Sequence, residues 1–107
     1  MKIKKIEASR ADWDHVRSWN YKLKDLKDNY QSVVYAELDG IHGEVATGSV
    51  ERVYYILSGA GEFNIGGENV HVEAGDVLTV PPHTTYDYWP TNEETLKVIL
   101  FMELWDN

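Results

Sequence analysis

Residues 53–61, VYYILSGAG, decide the fold of this chain. The apolar run from Val53 to Leu57 is short and rich in β-branched and aromatic residues, and it is followed by Gly59 and Gly61. This pattern is typical of a β-strand that ends in a turn. Because the run is continuous rather than alternating, we predict a strand that is buried on both faces.

Strand signals of the same kind continue on both sides of this stretch. They are short, and Asp39-Gly40, Gly66-Gly67 and Pro81-Pro82 separate them. Such dipeptides mark turns or end a strand. The predicted strands cover residues 32–38, 53–57, 63–65, 70–72, 77–80, 86–89 and 96–104. Short strands at this spacing indicate an antiparallel sandwich or barrel.

The segment before residue 31 is harder to interpret. Its apolar residues are spaced by three and four positions, which hints at a helix; they are Trp13, Val16, Trp19, Leu23 and Leu26. An irregular segment with one helical turn fits equally well, because polar residues interrupt the pattern. We predict a single all-β domain over residues 1–107, with an irregular or partly helical arm at 1–30 and a barrel at 31–107.

Composition excludes several classes of function. The chain of 107 residues has no cysteine, so thiolate metal sites, disulfides and cysteine nucleophiles are ruled out. A net charge of −8 repels nucleic-acid backbones, so we expect no nucleic-acid partner. The longest apolar run, 98–102, is too short to span a membrane, and the N-terminal residues lack the apolar stretch of a signal peptide. We therefore predict a cytoplasmic protein.

Two glycine- and proline-based patterns resemble the paired motifs of the cupin superfamily. The first runs from Gly40 to Gly59, and the second begins at Gly75 and includes Pro81, with the cupin spacing kept throughout both. The chain thus resembles a small single-domain cupin of the RmlC-like, cupin 2 conserved barrel type. The resemblance covers about residues 32–104 and implies a small antiparallel β-barrel, also called a double-stranded β-helix or jelly roll.

The resemblance also identifies the four positions at which cupins carry His, His, Glu and His as metal ligands. Here they are occupied by Ala46, Gly48, Arg52 and Tyr86. Alanine and glycine offer no side-chain donor, and the fixed positive charge of arginine opposes a cation. We predict no metal at this place and no other cofactor. A relocated metal site that uses His42 and His83 stays open, although two histidines are a weak signal.

Strand parity selects the candidate ligand-binding residues, because side chains alternate between the two faces of a strand. If Arg52 and Tyr86 face the barrel interior, so do Tyr54 and Tyr88. His83 replaces a motif glycine and is expected at the pocket rim. The predicted ligand-binding residues are Arg52, Tyr54, His83, Tyr86 and Tyr88.

Two interpretations of Arg52 are left open, because a buried arginine needs a partner. In the first, Arg52 forms an internal ion pair with Glu44, Glu51 or Asp87. In the second, its planar guanidinium binds a carboxylate or phosphate of a ligand.

Three functions fit these residues. The first is a metal-free small cupin that binds a small polar or anionic molecule, such as a carboxylate, phosphate or sugar, in the barrel. The second is a metal-independent sugar-type isomerase or epimerase, as the family includes, that uses Tyr86 and His83 for proton transfer. The third is a structural or regulatory dimer whose barrel is filled by its own side chains. The resemblance also implies a homodimer, for which Trp13, Trp19 and Trp105 are candidate contact residues.

Overall fold

The computed structural model describes residues 2–23 and 30–104. A single 3-10 turn, Lys5–Glu7, precedes the strands within these ranges. The strands are β1 (Ser9–Trp13), β2 (Val16–Lys22), β3 (Ser32–Leu38), β4 (Val45–Ala46), β5 (Arg52–Ser58), β6 (Ala60–Ile65), β7 (Glu68–Glu73), β8 (Val77–Val80), β9 (Thr85–Pro90) and β10 (Leu96–Met102). In the described part of the chain, no helix is long and apolar enough to cross a membrane.

The strands form two antiparallel sheets that face each other. One has six strands in the order β1-β2-β3-β10-β5-β8, and the other has four in the order β4-β9-β6-β7. Alternate residues of the central strands are buried between the sheets, as Val34, Ala36 and Leu38 are in β3. This arrangement confirms the predicted all-β antiparallel barrel.

Strand β5 alternates between a buried and an exposed face, contrary to the interpretation of its continuous apolar run. Tyr54 and Ile56 are fully buried, whereas Tyr55 and Leu57 are 38% and 47% exposed on the outer face of the six-stranded sheet. The prediction that both faces of this strand are buried was therefore wrong. A continuous apolar run does not show that both faces of a strand are buried. Here alternate residues of the run lie on an outer face.

The helix-like spacing of apolar residues in the N-terminal segment also does not correspond to a helix. Residues 9–22 form the hairpin β1-β2, and β2 pairs with β3 so that Ser18 is opposite Ala36. Val16, Ser18 and Asn20 are buried at every second position, which is the period of a strand. The predicted arm is thus part of the six-stranded sheet up to Lys22, while Leu26 lies outside the described residues.

Gly59 explains why the first motif ends in glycine. Its φ is +84°, and a Cβ at this position would lie 2.8 Å from the carbonyl oxygen of Thr95. Any other residue would combine a left-handed backbone with a backbone clash. This glycine therefore allows the close turn between β5 and β6 that brings both strands into the barrel.

Candidate ligand-binding site

A cavity of about 480 Å³ lies between the two sheets. About half of its lining residues are apolar and non-aromatic: Val16, Val34, Ala36, Val45, Ala46, Val98, Leu100 and Met102. Its polar and aromatic lining comes mainly from Trp13, His42, Arg52, Tyr54, Tyr86 and Tyr88. A largely apolar cavity of this size with a few converging polar groups is typical of a small-molecule site.

Arg52 organises the polar side of this cavity from the first position of β5. Its Nη1 donates a hydrogen bond of 2.9 Å to the hydroxyl of Tyr86 in β9, which is in turn 2.5 Å from the hydroxyl of Tyr54. Tyr54 and Tyr86 are almost completely buried. A charged donor therefore polarises two connected phenols that face the cavity.

Glu103, just after β10, is the second partner of Arg52. Its Oε1 lies 3.5 Å from Arg52 Nη2. Among the described residues, Arg52 Nε and Glu103 Oε2 are buried atoms with no hydrogen-bond partner. Burial would lower the pKa of Arg52, but Tyr86, Tyr54 and Glu103 raise it above its ordinary value, so the guanidinium stays charged.

His42 forms an aromatic stack on another side of the cavity. Its ring lies 4.6 Å from that of Tyr88 in a stacked geometry, and Trp13 packs edge-on against it at 5.2 Å. The indole Nε1 of Trp13 donates to the carbonyl of His42 at 3.0 Å, and the backbone N–H of His42 donates to the carbonyl of Tyr88. These contacts hold the imidazole as one wall of the cavity.

The tautomer of His42 follows from its hydrogen bond. Nδ1 is 2.8 Å from the carbonyl oxygen of Gly43, which can only accept, so Nδ1 carries the proton. Burial lowers the pKa of His42 below its ordinary value of 6.5, although Gly43 and Asp87 oppose this effect. The imidazole is therefore neutral at neutral pH, and Nε2 is an acceptor.

Burial raises the pKa of both Tyr54 and Tyr88. For Tyr88, the neighbouring Tyr86 adds to this effect, whereas Tyr54 and Arg52 oppose it. Both phenols therefore remain protonated at neutral pH and can act as hydrogen-bond donors.

The structure brings most of the predicted site residues together. Arg52, Tyr54, Tyr86 and Tyr88 all line the cavity. His83 does not: it is exposed in the turn between β8 and β9, with a φ of +53°. Its positive φ is consistent with its place at a motif glycine.

Of the four positions that hold metal ligands in cupins, some line the cavity and one does not. Ala46, Arg52 and Tyr86 line the cavity, whereas Gly48 is exposed and is not part of the lining. Two of these residues have no donor, and the Tyr86 hydroxyl already accepts from a guanidinium. This set does not fit a metal ion. Within residues 2–23 and 30–104, no group of three His, Cys, Asp or Glu side chains is placed to hold one.

Three residues of the site were missed or misassigned from the sequence. Trp13, which the sequence suggested only as a dimer contact, lines the cavity, and so does His42, which was considered only as a ligand of a relocated metal site. Glu103, rather than Glu44, Glu51 or Asp87, approaches Arg52. Pairing of β10 with β5 places Phe101 opposite Val53, and only this long-range register points to Glu103.

Comparisons with known proteins agree with this geometry. Residues 52–102, slightly less than half of the chain, match the family described as AraC-like ligand binding domain. No curated protein sequence matches the chain.

Several solved structures are similar over nearly the whole chain. A predicted oxalate decarboxylase from Thermotoga maritima has a TM-score of 0.82 at 19% identity, covering 98% of this chain and 100% of that one. Pac13, a nucleoside dehydratase from Streptomyces, has a TM-score of 0.79 at 24% identity, covering 99% and 84%. KdgF from Halomonas has a TM-score of 0.72 at 19% identity, covering 94% and 91%.

Further structures of the Streptomyces protein are of variants with a single tyrosine or histidine replaced, each with uridine. Identities this low establish the fold alone. The chain therefore has the cupin fold, and other residues stand at the positions of the usual metal ligands.

Proposed function

We propose that this chain binds a small polar or anionic molecule in the barrel cavity without a metal ion. The observation that carries the proposal is the cavity of about 480 Å³, in which the guanidinium of Arg52 and two connected phenols interrupt an apolar lining. Such groups fix the orientation of a ligand, while the apolar walls contribute affinity. The same cavity argues against a barrel filled by its own side chains.

The test is a thermal-shift panel of phosphate, small carboxylates, sugars and uridine on the parent protein and on Arg52→Met. At least one member should stabilise the parent and stabilise Arg52→Met less, because binding to the folded state raises its apparent stability. Stabilisation of both proteins to the same extent would contradict a role for Arg52.

The metal content of the purified protein tests the proposal that no metal ion is bound. Protein made in metal-replete medium, with any affinity tag removed, should contain well under one transition-metal ion per chain by elemental mass spectrometry. Stoichiometric metal that survives dialysis would contradict the proposal and would direct attention to His42 and His83.

A second candidate function is metal-independent proton transfer on the bound molecule. His42 favours it, because its fixed tautomer leaves a neutral Nε2 acceptor beside the phenols. The similarity to a nucleoside dehydratase is consistent with this chemistry. Tyr86 is the proposed acid, and either His42 or the exposed His83 is the base.

Solvent exchange distinguishes the two histidines. A panel member that binds should incorporate deuterium from D2O in the presence of the parent protein, as followed by NMR. Loss of exchange in His42→Gln but not in His83→Gln would identify His42 as the base, and the reverse result would identify His83. If a panel member binds but incorporates no deuterium, the proposed proton transfer on that molecule is contradicted and the binding function alone stands.

We further propose a cytoplasmic homodimer. Its contact surface is the outer face of β5, β8 and β10, where Tyr55, Leu57, Val77 and Phe101 are between 37% and 64% exposed. A patch of exposed apolar side chains on a chain of net charge −8 suits a second copy of itself, related by a two-fold axis. Of the tryptophans assigned to this role from the sequence, Trp19 packs against Arg10 and Tyr35, and Trp105 lies outside the described residues.

A further inference from the structure

Much of the apolar part of the cavity wall comes from three adjacent strands of the six-stranded sheet, β2, β3 and β10. Their lining residues are Val16, Ser18, Val34, Ala36, Val98, Leu100 and Met102. Ser18 is the one polar side chain of this set, and its hydroxyl already donates to the carbonyl of Ala11 at 2.6 Å. This wall therefore suits hydrocarbon and offers few partners to the hydroxyl groups of a ligand.

The side of the cavity that β5 and β9 form carries hydrogen-bond donors. Arg52, Tyr54 and Tyr86 all line the cavity. A guanidinium can only donate, and Arg52 donates to the hydroxyl of Tyr86, which is also bonded to the hydroxyl of Tyr54. One of the two hydroxyl hydrogens lies between the phenols, so the other is left for a third group. An ionised carboxylate only accepts hydrogen bonds, so it complements such donors.

Glu103 does not take the place of this carboxylate. It is not one of the residues that line the cavity, and its Oε1 is 3.5 Å from Arg52 Nη2, which is long for a charge-assisted hydrogen bond. The charge of Arg52 is therefore only partly balanced within the protein, and an anion in the cavity is attracted to it.

We infer that the ligand is a monocarboxylate with a compact apolar body, whose carboxylate lies beside Arg52 and Tyr86 and whose hydrocarbon part packs against β2, β3 and β10. The inference rests on the proposed function, because it names the ligand class of the same cavity. A sugar would place hydroxyl groups against the apolar wall, and phosphate or acetate would leave most of the cavity of about 480 Å³ unfilled.

Isothermal titration calorimetry with matched probes tests both parts of this ligand. The parent protein should bind cyclohexanecarboxylate at least about a hundredfold more tightly than acetate, because each buried methylene adds about fourfold. It should bind quinate, which has the same ring and carboxylate with added hydroxyl groups, at least about tenfold more weakly than cyclohexanecarboxylate. The methyl ester of cyclohexanecarboxylate keeps the apolar body and loses the charge, so it should also bind about tenfold more weakly.

Val34→Thr and Arg52→Met test the two parts of the site separately. Val34→Thr adds a hydroxyl to the apolar wall, so cyclohexanecarboxylate should bind this variant at least about fivefold more weakly, and its advantage over quinate should shrink. Val33→Thr is the matched control, because Val33 is the neighbouring residue on the outer face of β3, and it should behave like the parent. Arg52→Met should bind cyclohexanecarboxylate and its methyl ester equally, because the charge that separates them has lost its partner.

The ranking of the probes on the parent protein decides the question even if Val34→Thr does not fold. If acetate, phosphate or quinate binds as tightly as cyclohexanecarboxylate, the cavity does not select an apolar body and the inference is wrong, while the proposed binding function stands. If the methyl ester binds as tightly as the carboxylate, or if Val34→Thr binds like Val33→Thr, the corresponding contact is contradicted. If no probe binds at millimolar concentration while the thermal-shift panel finds another ligand, only the inference fails; if the panel is also silent, both fail.

Discussion

Arg52 has two partial partners rather than one complete ion pair. It donates to Tyr86, and it lies at the long distance of 3.5 Å from a carboxylate that is one-third exposed. The interpretations left open by the sequence, an internal ion pair and a ligand contact, are therefore compatible. Glu103 neutralises part of the charge of Arg52, and the guanidinium keeps an N–H donor available for a ligand.

Replacing Arg52 with methionine should lower the free energy of unfolding by about 1–3 kcal/mol, the cost of leaving partners of a buried donor unsatisfied. A fully buried pair would lose about 3–5 kcal/mol, but here water can reach Glu103. Urea unfolding monitored by tryptophan fluorescence measures the difference. Arg17→Met, at an exposed pair, should change stability by less than about 1 kcal/mol.

A larger loss than that of a fully buried pair, with no ligand stabilising the parent protein, would contradict a binding role for Arg52. A variant as stable as the parent would show that the contacts with Tyr86 and Glu103 contribute little.

His42 should make the folded state sensitive to mild acid. Its pKa in the folded state is lowered below 6.5 by burial, so the unfolded chain binds more protons below that pH. Stability should consequently fall as the pH drops below 6.5, and it should be fully retained above that value. Urea unfolding of the parent and of His42→Gln between neutral pH and about pH 5.5 compares the two.

The other histidines are present in both proteins, so the difference between the two curves belongs to His42. A variant with the same pH dependence as the parent would show that His42 keeps an ordinary pKa. NMR titration of the His42 ring would then give a midpoint at or above 6.5.

Thr47 connects the two loops that follow β4 and β8. Its hydroxyl donates to the carbonyl of Pro81 at 2.6 Å and accepts from the backbone N–H of Thr84 at 2.9 Å. Thr47→Val keeps the shape but leaves both groups unpaired, so it should lower the free energy of unfolding by about 1–3 kcal/mol. Chemical unfolding tests this value against Ser49→Ala, an exposed change in the same loop.

Amide hydrogen exchange gives a second, local readout for Thr47. The N–H groups of His83 and Thr84 should exchange faster in Thr47→Val, while those of β3 and β10 change little. Uniformly faster exchange across the barrel would show that Thr47 stabilises the whole fold rather than this connection.

The strands that could be predicted from the sequence are those whose ends are marked by turn residues. Strands β3 and β8 have the predicted bounds, because Asp39-Gly40 and Pro81-Pro82 mark where each must end. The hairpin β1-β2 was not predicted, because the spacing of Trp13, Val16 and Trp19 also fits a helix. Local spacing could not resolve this, since the period of β2 becomes clear only when β3 pairs with it.

Residues of the candidate site were predictable where a motif position fixed the face of the strand on which a side chain lies. Arg52 and Tyr86 occupy such positions, and Tyr54 and Tyr88 follow from them by alternation. Glu103 lies outside both motifs and His42 is at none of the ligand positions, and strand pairing and loop contacts bring them to the site. No local pattern carries that information.

The outer face of β5, β8 and β10 predicts how the chain assembles. Light scattering at micromolar concentration should give the mass of a dimer for the parent protein. Leu57→Lys should shift the mass toward a monomer, because it places a charge among the exposed apolar side chains of this face. The control, Glu68→Lys, changes an exposed residue of the four-stranded sheet and should remain a dimer.

A monomeric parent would contradict the proposed homodimer. A dimer that Leu57→Lys leaves intact would place the interface on another surface.

We propose that the barrel cavity, rather than a metal ion, is the functional centre of this protein. A crystal structure after soaking with uridine, phosphate and acetate tests it most directly, with anomalous data collected to detect any metal. We expect a probe in the cavity, with a polar atom within hydrogen-bonding distance of Arg52, and no anomalous peak beside Tyr86. Probes bound only outside the cavity, or a metal ion between Arg52 and Tyr86, would contradict it.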